Sequence, residues 1–165
     1  MLALMNLLPA VSRPTISSLW ARTQHLPLGK RLFSRLVGRI APYTGTIGAS
    51  VLELSDGHCV TELRDRRQVR NHLSSIHAVA LLNLGELTTG LAVMHAVDGR
   101  GRGIVTRLDI EYLKKARGTI TGTCQVELPH TPGTHHLTVE GTLRDREGEV
   151  VARVQATWKL DLEPR

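Results

Sequence analysis

The order of hydrophobic patterns along the chain predicts an α+β fold: an antiparallel β-sheet curled around one central α-helix, with a helical arm in front. Three observations predict it. Residues 73–97 form an apolar stretch of 25 residues with a single formal charge, Glu86. From Gly103 onward the apolar residues recur at every second position through four successive segments, the period of half-buried strands. Ahead of the apolar stretch lie two short β-like runs, 46–54 and 58–66, joined by the turn signal Ser55-Asp56-Gly57. A sheet with one apolar face must bury it, and a helix that is apolar all round must be surrounded. Wrapping the one around the other satisfies both, and 165 residues suffice for one such domain.

The arm, residues 1–45, comes first. Leu32, Phe33, Leu36, Val37 and Ile40 fall on one side of a helix, and Arg31, Arg35 and Arg39 on the other. The pattern suits a helix docked on the body, peripheral membrane contact through residues 17–40, or an organellar transit peptide. Docking is the reading adopted, in a cytoplasmic protein. The apolar run Met1–Leu8 is too short to span a bilayer. The sheet-and-helix domain then covers residues 46–165. Its stretch 73–97 has the length of a transmembrane helix, but the central acid, Asn83, Thr88 and Thr89 place it in a soluble core.

Each later segment has one apolar face. In the first it is Ile104, Thr106, Leu108, Ile110 and Tyr112, with Arg107, Asp109 and Glu111 opposite. Ile120–Val126, Leu137–Leu143 and Val150–Leu162 alternate in the same way. The connections Lys115–Gly118, Pro129–Gly133 and Arg146–Glu149 are short, which favours antiparallel neighbours.

Charge and composition exclude several functions. The chain holds 21 Lys and Arg against 15 Asp and Glu, yet no acid precedes Glu53, and from there on the two signs balance. The basic excess is therefore a property of the arm, not of a folded face, which argues against nucleic acid as a partner. With 3% aromatic residues there is no stacking platform for single strands, and the core must be aliphatic. Cys59 and Cys124 have no metal or redox spacing and read as reduced core residues. His130, His135 and His136 cluster without a nearby acid or thiol, so no metal site is assigned. Asp98–Gly103, with Arg100 and Arg102 between glycines, is either a solvated turn or a grip for phosphates.

The segment Asn71–Glu86, NHLSSIHAVALLNLGE, carries the chemistry. An amide at Asn71, an imidazole six residues on at His77, and a carboxylate at Glu86 punctuate an otherwise apolar run. With this spacing, roughly Thr46–Leu162 resembles the hotdog-fold thioesterase superfamily, in particular its PaaI-like branch and uncharacterised bacterial relatives. In that branch a loop Asn precedes a His-Gly-Gly step at the helix start, and an acid, usually Asp, follows about two turns into the helix. Here Ala78 and Val79 replace the glycines and Glu86 replaces the Asp.

The resemblance implies hydrolysis of an acyl-CoA or acyl-carrier-protein thioester by a homodimer or dimer of dimers, with coenzyme A present only as part of the substrate. The Ala78 N–H at the start of the helix, assisted by Asn71 or His77, would hold the oxyanion. Glu86, desolvated among Leu81, Leu82 and Leu87, would have a raised pKa and act as base or nucleophile. Asn83, Arg100 and Arg102 are the candidate substrate-binding residues. His77 and Glu86 are nine residues apart and so face opposite sides of a helix, which calls for the two groups to come from different subunits.

Structural roles compete with these. Glu86 would pair with Arg107 or bond to Asn83 or Thr89, and His77 would simply cap the helix. Two other functions stay open. One is a hydratase or dehydratase using His72 with Glu86, though the Phe-Pro-Gly step of such enzymes is missing. The other is a non-catalytic acyl-CoA-binding or scaffolding protein, favoured by the loss of both glycines.

Overall fold

The computed structural model describes residues 15–164; the run Met1–Leu8 lies outside them. Three helices open the chain, α1 (Ile16–Thr23), α2 (Gly29–Ile40) and α3 (Pro42–Thr46). The Thr15 hydroxyl caps α1 by accepting the Ser18 N–H at 3.1 Å. Gly29 is required where α2 begins, because a Cβ there would lie 1.6 Å from the Thr23 carbonyl oxygen. Trp20 and Phe33 meet edge to face at 5.0 Å and, with Val37, join the same apolar cluster as Leu91 and Trp158 of the body. The arm is thus docked, its described part built into the core.

Docking uses one stripe of α2, Phe33 and Val37, while Leu32 (44% exposed) and Ile40 (63%) face solvent. The expected single apolar face is therefore divided. Together with Leu28 just before the helix, these exposed side chains lie four and eight residues apart on one side, beside Arg31, Arg35 and Arg39.

The body contains β1 (Ser50–Ser55), β2 (His58–Leu63), α4 (Ala78–Val97), β3 (Gly101–Tyr112), β4 (Ile120–Gln125), β5 (Gly133–Arg144) and β6 (Val150–Leu162). The strands form one antiparallel sheet in the order β1-β2-β4-β5-β6-β3. Its inner face wraps α4. Of the short connections, those between β4 and β5 and between β5 and β6 do join neighbours; that between β3 and β4 does not. Residues 113–119 instead cross past two strands. That takes three inter-strand spacings, about 14 Å, well within the ~23 Å reach of seven extended residues. The Leu113 and Lys114 N–H groups leave β3 by donating to the Val151 carbonyl, at 2.9 and 3.2 Å.

β3 also departs from its expected alternation. A bulge lies between Val105 and Arg107, so Gly103 and Val105 point inward before it and Leu108 and Ile110 after it. Ile104 is turned out and is 64% exposed. One extra residue reverses the faces of a strand, which periodicity alone does not reveal.

Two apolar clusters follow the two halves of α4, and small or hydroxyl residues separate them. At this waist Gly85 meets Val154, and Gly141 meets Thr89. The Thr88 hydroxyl donates to the Leu84 carbonyl at 2.7 Å and so accepts from Thr61 at 2.6 Å. The helix lies close to the sheet because these residues leave it room. Cys59 and Cys124 face each other on β2 and β4 as free thiols. Burial pushes Cys124 up to about 12 and Cys59 higher still, so both stay protonated and unreactive.

Candidate active site

The loop before α4 is tightly determined. The Asn71 side-chain oxygen accepts the Leu73 N–H at 2.9 Å, the Ser75 N–H at 3.3 Å and the Ser75 hydroxyl at 3.2 Å, closing a turn with Ser74 in the left-handed region at φ 54°. The crossover then fastens it, as the Ile76 N–H donates to the Ala116 carbonyl at 2.8 Å. Asp65 completes the tie. It accepts from Arg70 Nε at 2.5 Å and from the Gly118 N–H at 2.9 Å. The Arg70 guanidinium, helped by the Gly118 amide, holds its carboxyl below the usual carboxylate value.

A depressed carboxylate contributes stability above its unfolded value, near pH 4, and loses that contribution as pH falls through the folded one. Urea unfolding measured from pH 7 to pH 3 should therefore show wild-type stability falling below about pH 4, with a shallower fall for Asp65→Asn.

His77 is the N-cap of α4. Its Nδ1 accepts the Val79 N–H at 3.1 Å, which leaves the ring proton on Nε2, facing outward. The His77 carbonyl accepts from the Ala80 and Leu81 N–H groups at 2.9 and 3.1 Å. Because a peptide unit is planar and trans, the Ala78 N–H of that same unit points the opposite way, out of the helix end. Among the described residues it has no acceptor, and Ala78 is exposed. Two adjacent donors, Ala78 N–H and His77 Nε2–H, thus stand at the positive end of a 20-residue helix.

Glu86 lies about 14 Å further along the axis and about 180° round it. It is half-buried, so the full desolvation expected from its leucine neighbours is not realised within one protomer. None of the expected structural partners holds it. Arg107 pairs with Asp109 instead, at 2.5 Å, and the Thr89 hydroxyl bonds to the Gly85 and Glu86 carbonyls. Among the described residues its carboxylate makes no ion pair.

Asn83 is 3% exposed, with its amide nitrogen 3.5 Å from the Tyr43 carbonyl and its side-chain oxygen unpartnered. Arg100 donates to the Pro129 carbonyl at 3.3 Å, and Arg102 pairs with Asp161 at 3.3 Å. Both follow the far end of α4, so within one protomer they are about 30 Å from His77. The structure therefore gathers Asn71, His77 and Ala78, and leaves Glu86, Asn83, Arg100 and Arg102 apart from them.

The profile of a family described as "Domain of unknown function (DUF4442)" matches residues 29–160. The chain belongs to the DUF4442 family. This DUF4442 protein is similar to a structural-genomics protein, APC5556, with 27% identity over 88% of this chain and 97% of that one, at a TM-score of 0.76. It is also similar to a Pseudomonas aeruginosa protein of unknown function described as a probable thioesterase: 24% identity, 84% and 99% covered, TM-score 0.72. A conserved protein of the same organism matches at 26% identity, over 72% and 92%, with TM-score 0.61. No curated protein sequence matches. The shared architecture is the hotdog fold, as the resemblance implied.

Besides Asp65, one further contributor to the DUF4442 site was not singled out from sequence. The Tyr112 hydroxyl donates to the Ala78 carbonyl at 3.0 Å and pins the first turn of α4 to the end of β3. Burial raises its phenol above the ordinary value, which keeps it a donor. Its only signal in the chain is its place as the last residue of an alternating run.

Proposed function

We propose that this protein hydrolyses an acyl thioester, carried by coenzyme A or an acyl carrier protein, at a site completed across a homodimer interface. The observation that carries this reading is the exposed, unpartnered Ala78 N–H beside His77 Nε2–H. Such a pair is suited to the oxyanion that forms when the thioester carbonyl is attacked. Glu86, free of an internal ion pair, serves as base or nucleophile for the donors of the other subunit, with Asn71 holding the donor loop in shape. Arg100 and Arg102, at the opposite end of α4, are then available to the carrier in the same dimer.

The sheet supports the dimer. Its β1 edge is covered, since the Val51 N–H donates to the Ser34 hydroxyl of α2 at 2.8 Å. The other edge, the 12-residue β3, is bare in a single chain and is a template for pairing with a second copy. The exposed Leu28, Leu32 and Ile40 beside the arginines of α2 favour peripheral membrane contact as well.

The test is thiol release from acyl-CoA and acyl-pantetheine substrates of graded chain length, with the oligomeric state measured in the same buffer. Turnover by a dimer is expected. Tight acyl-CoA binding with no turnover on any chain would replace the enzyme with a binding module.

A further inference from the structure

Between α2 and α3 on one side, and β1 with the segment after β2 on the other, lies a cleft of about 960 Å³. Its lining includes Arg31, Arg35 and Arg39 from α2, Arg64 and Arg66 from the segment after β2, and no acidic side chain. Val37, Val51 and Leu87 supply its apolar part. Two of the five cations are engaged. Arg66 donates to the Ile47 carbonyl, and Arg64 pairs with Glu62 at 3.1 Å.

The other three have no carboxylate partner among the described residues, and no Asp or Glu precedes Glu53 anywhere in the chain. They sit at i, i+4 and i+8, about 6 Å apart along one face of α2, where like charges repel and weaken a helix. A helix that merely docks on a core has no need of such a ladder.

Glycines shape the walls. A Cβ on Gly45 would lie 2.5 Å from the Gly38 carbonyl oxygen, so the bare backbones of α2 and α3 close into a tight corner at one end of the cleft. Gly48, at φ 58°, lets the Arg66 guanidinium lie against the main chain, where a Cβ would stand 2.6 Å from Nη2. The result is a formed receptacle with surplus positive charge and no internal counter-charge. Guanidinium forks match phosphate oxygens in pairs.

We infer that this cleft binds a ligand bearing two or more closely spaced phosphate groups, held chiefly by Arg31, Arg35 and Arg39. The inference is independent of the thioesterase reading, because the cleft opens on the Leu87 side of α4, about 100° round the helix from Glu86.

Two probes separate the sources of such a group: inorganic tripolyphosphate, followed by titration calorimetry, and vesicles of cardiolipin, which carries two phosphates, in phosphatidylcholine, followed by co-sedimentation. Wild type should bind at least one. The triple variant Arg31→Gln, Arg35→Gln, Arg39→Gln should bind about tenfold or more weakly. The control Arg22→Gln, Lys30→Gln, which removes basic residues outside the cleft, should stay within about twofold of wild type. Binding to tripolyphosphate points to a soluble ligand; binding to vesicles alone points to a lipid headgroup. The triple lysine variant keeps the charge and the helix but lacks the fork. It should bind measurably more weakly than wild type, and it keeps the test readable should the glutamine triple not fold. Absence of binding to both probes, an equal loss in the control, or undiminished binding in the lysine triple overturns the assignment.

Discussion

Glu86→Gln is expected to lower kcat for thioester hydrolysis by about 10²–10⁴ with the fold retained, the span expected when a general base loses its charge but keeps its shape. Half-burial and the absence of an ion pair among the described residues mean that no other described side chain is stranded by the change. The companion variant is His77→Ser, which keeps a side-chain oxygen to cap Val79 but loses the Nε2–H donor. Each homodimer is expected to be nearly inactive.

Mixing and re-equilibrating the two gives the sharper result. If His77 of one chain serves Glu86 of the other, a mixed dimer has one site with both groups intact and one with neither. Half of the dimers in an equal mixture are mixed, so about a quarter of wild-type activity returns. A site contained in one chain would show no recovery. Full activity in the Glu86→Gln homodimer would remove the carboxylate from the chemistry altogether.

The second large effect concerns the waist of the core. Two glycines of α4 should respond in opposite senses to the same substitution. At Gly85 an added Cβ would lie 2.3 Å from Val154 Cγ2 and 2.6 Å from its Cβ, and Val154 is fully buried. The overpacking costs about 1–3 kcal/mol or more and outweighs the ~1 kcal/mol that alanine contributes to a helix. At Gly90 the nearest atom would be Trp158 Cζ2 at 3.5 Å, an ordinary contact, so only the gain remains. Urea midpoints should therefore fall for Gly85→Ala and rise for Gly90→Ala. Adding Val154→Ala to Gly85→Ala should cost less than the two single losses together, because the contact that strains one is removed by the other. Equal midpoints for Gly85→Ala and wild type would mean that helix and sheet can move apart at no cost.

What was legible in the chain follows from how local each feature is. The run keeps its period of two from Ala152 to Leu162, and β6 spans Val150–Leu162, the bounds read from the chain. Asn71, His77 and Glu86 lie within one short segment, so their spacing could be read before any coordinates. β3 was read on the wrong face at its start, since a bulge changes register without changing composition. The apolar stretch begins at residue 73 but α4 only at Ala78, the start that the place of His77 implied, because the Asn71 side chain closes a turn that competes with helix. β3 and β4 looked like neighbours because their linker is short, yet seven residues reach across two strands. Tyr112 and Asp65 were invisible as contributors for a common reason: each ties the site to an element more than 30 residues away, Tyr112 to Ala78 and Asp65 to Gly118.

The crossover after β3 has a consequence for how the protein comes into being. Ala116 and Gly118, which secure the loop in front of α4, are brought there only after the chain has run the length of β3 and turned back past β6 and β5. Contacts so distant in sequence form late, once the entropy of closing the intervening chain has been met. On refolding, helix and strand signals should recover ahead of the ordering of the Asn71–His77 loop. A nascent chain released before Ala116 would hold the whole Asn71–Glu86 segment and still lack the contacts that secure its loop.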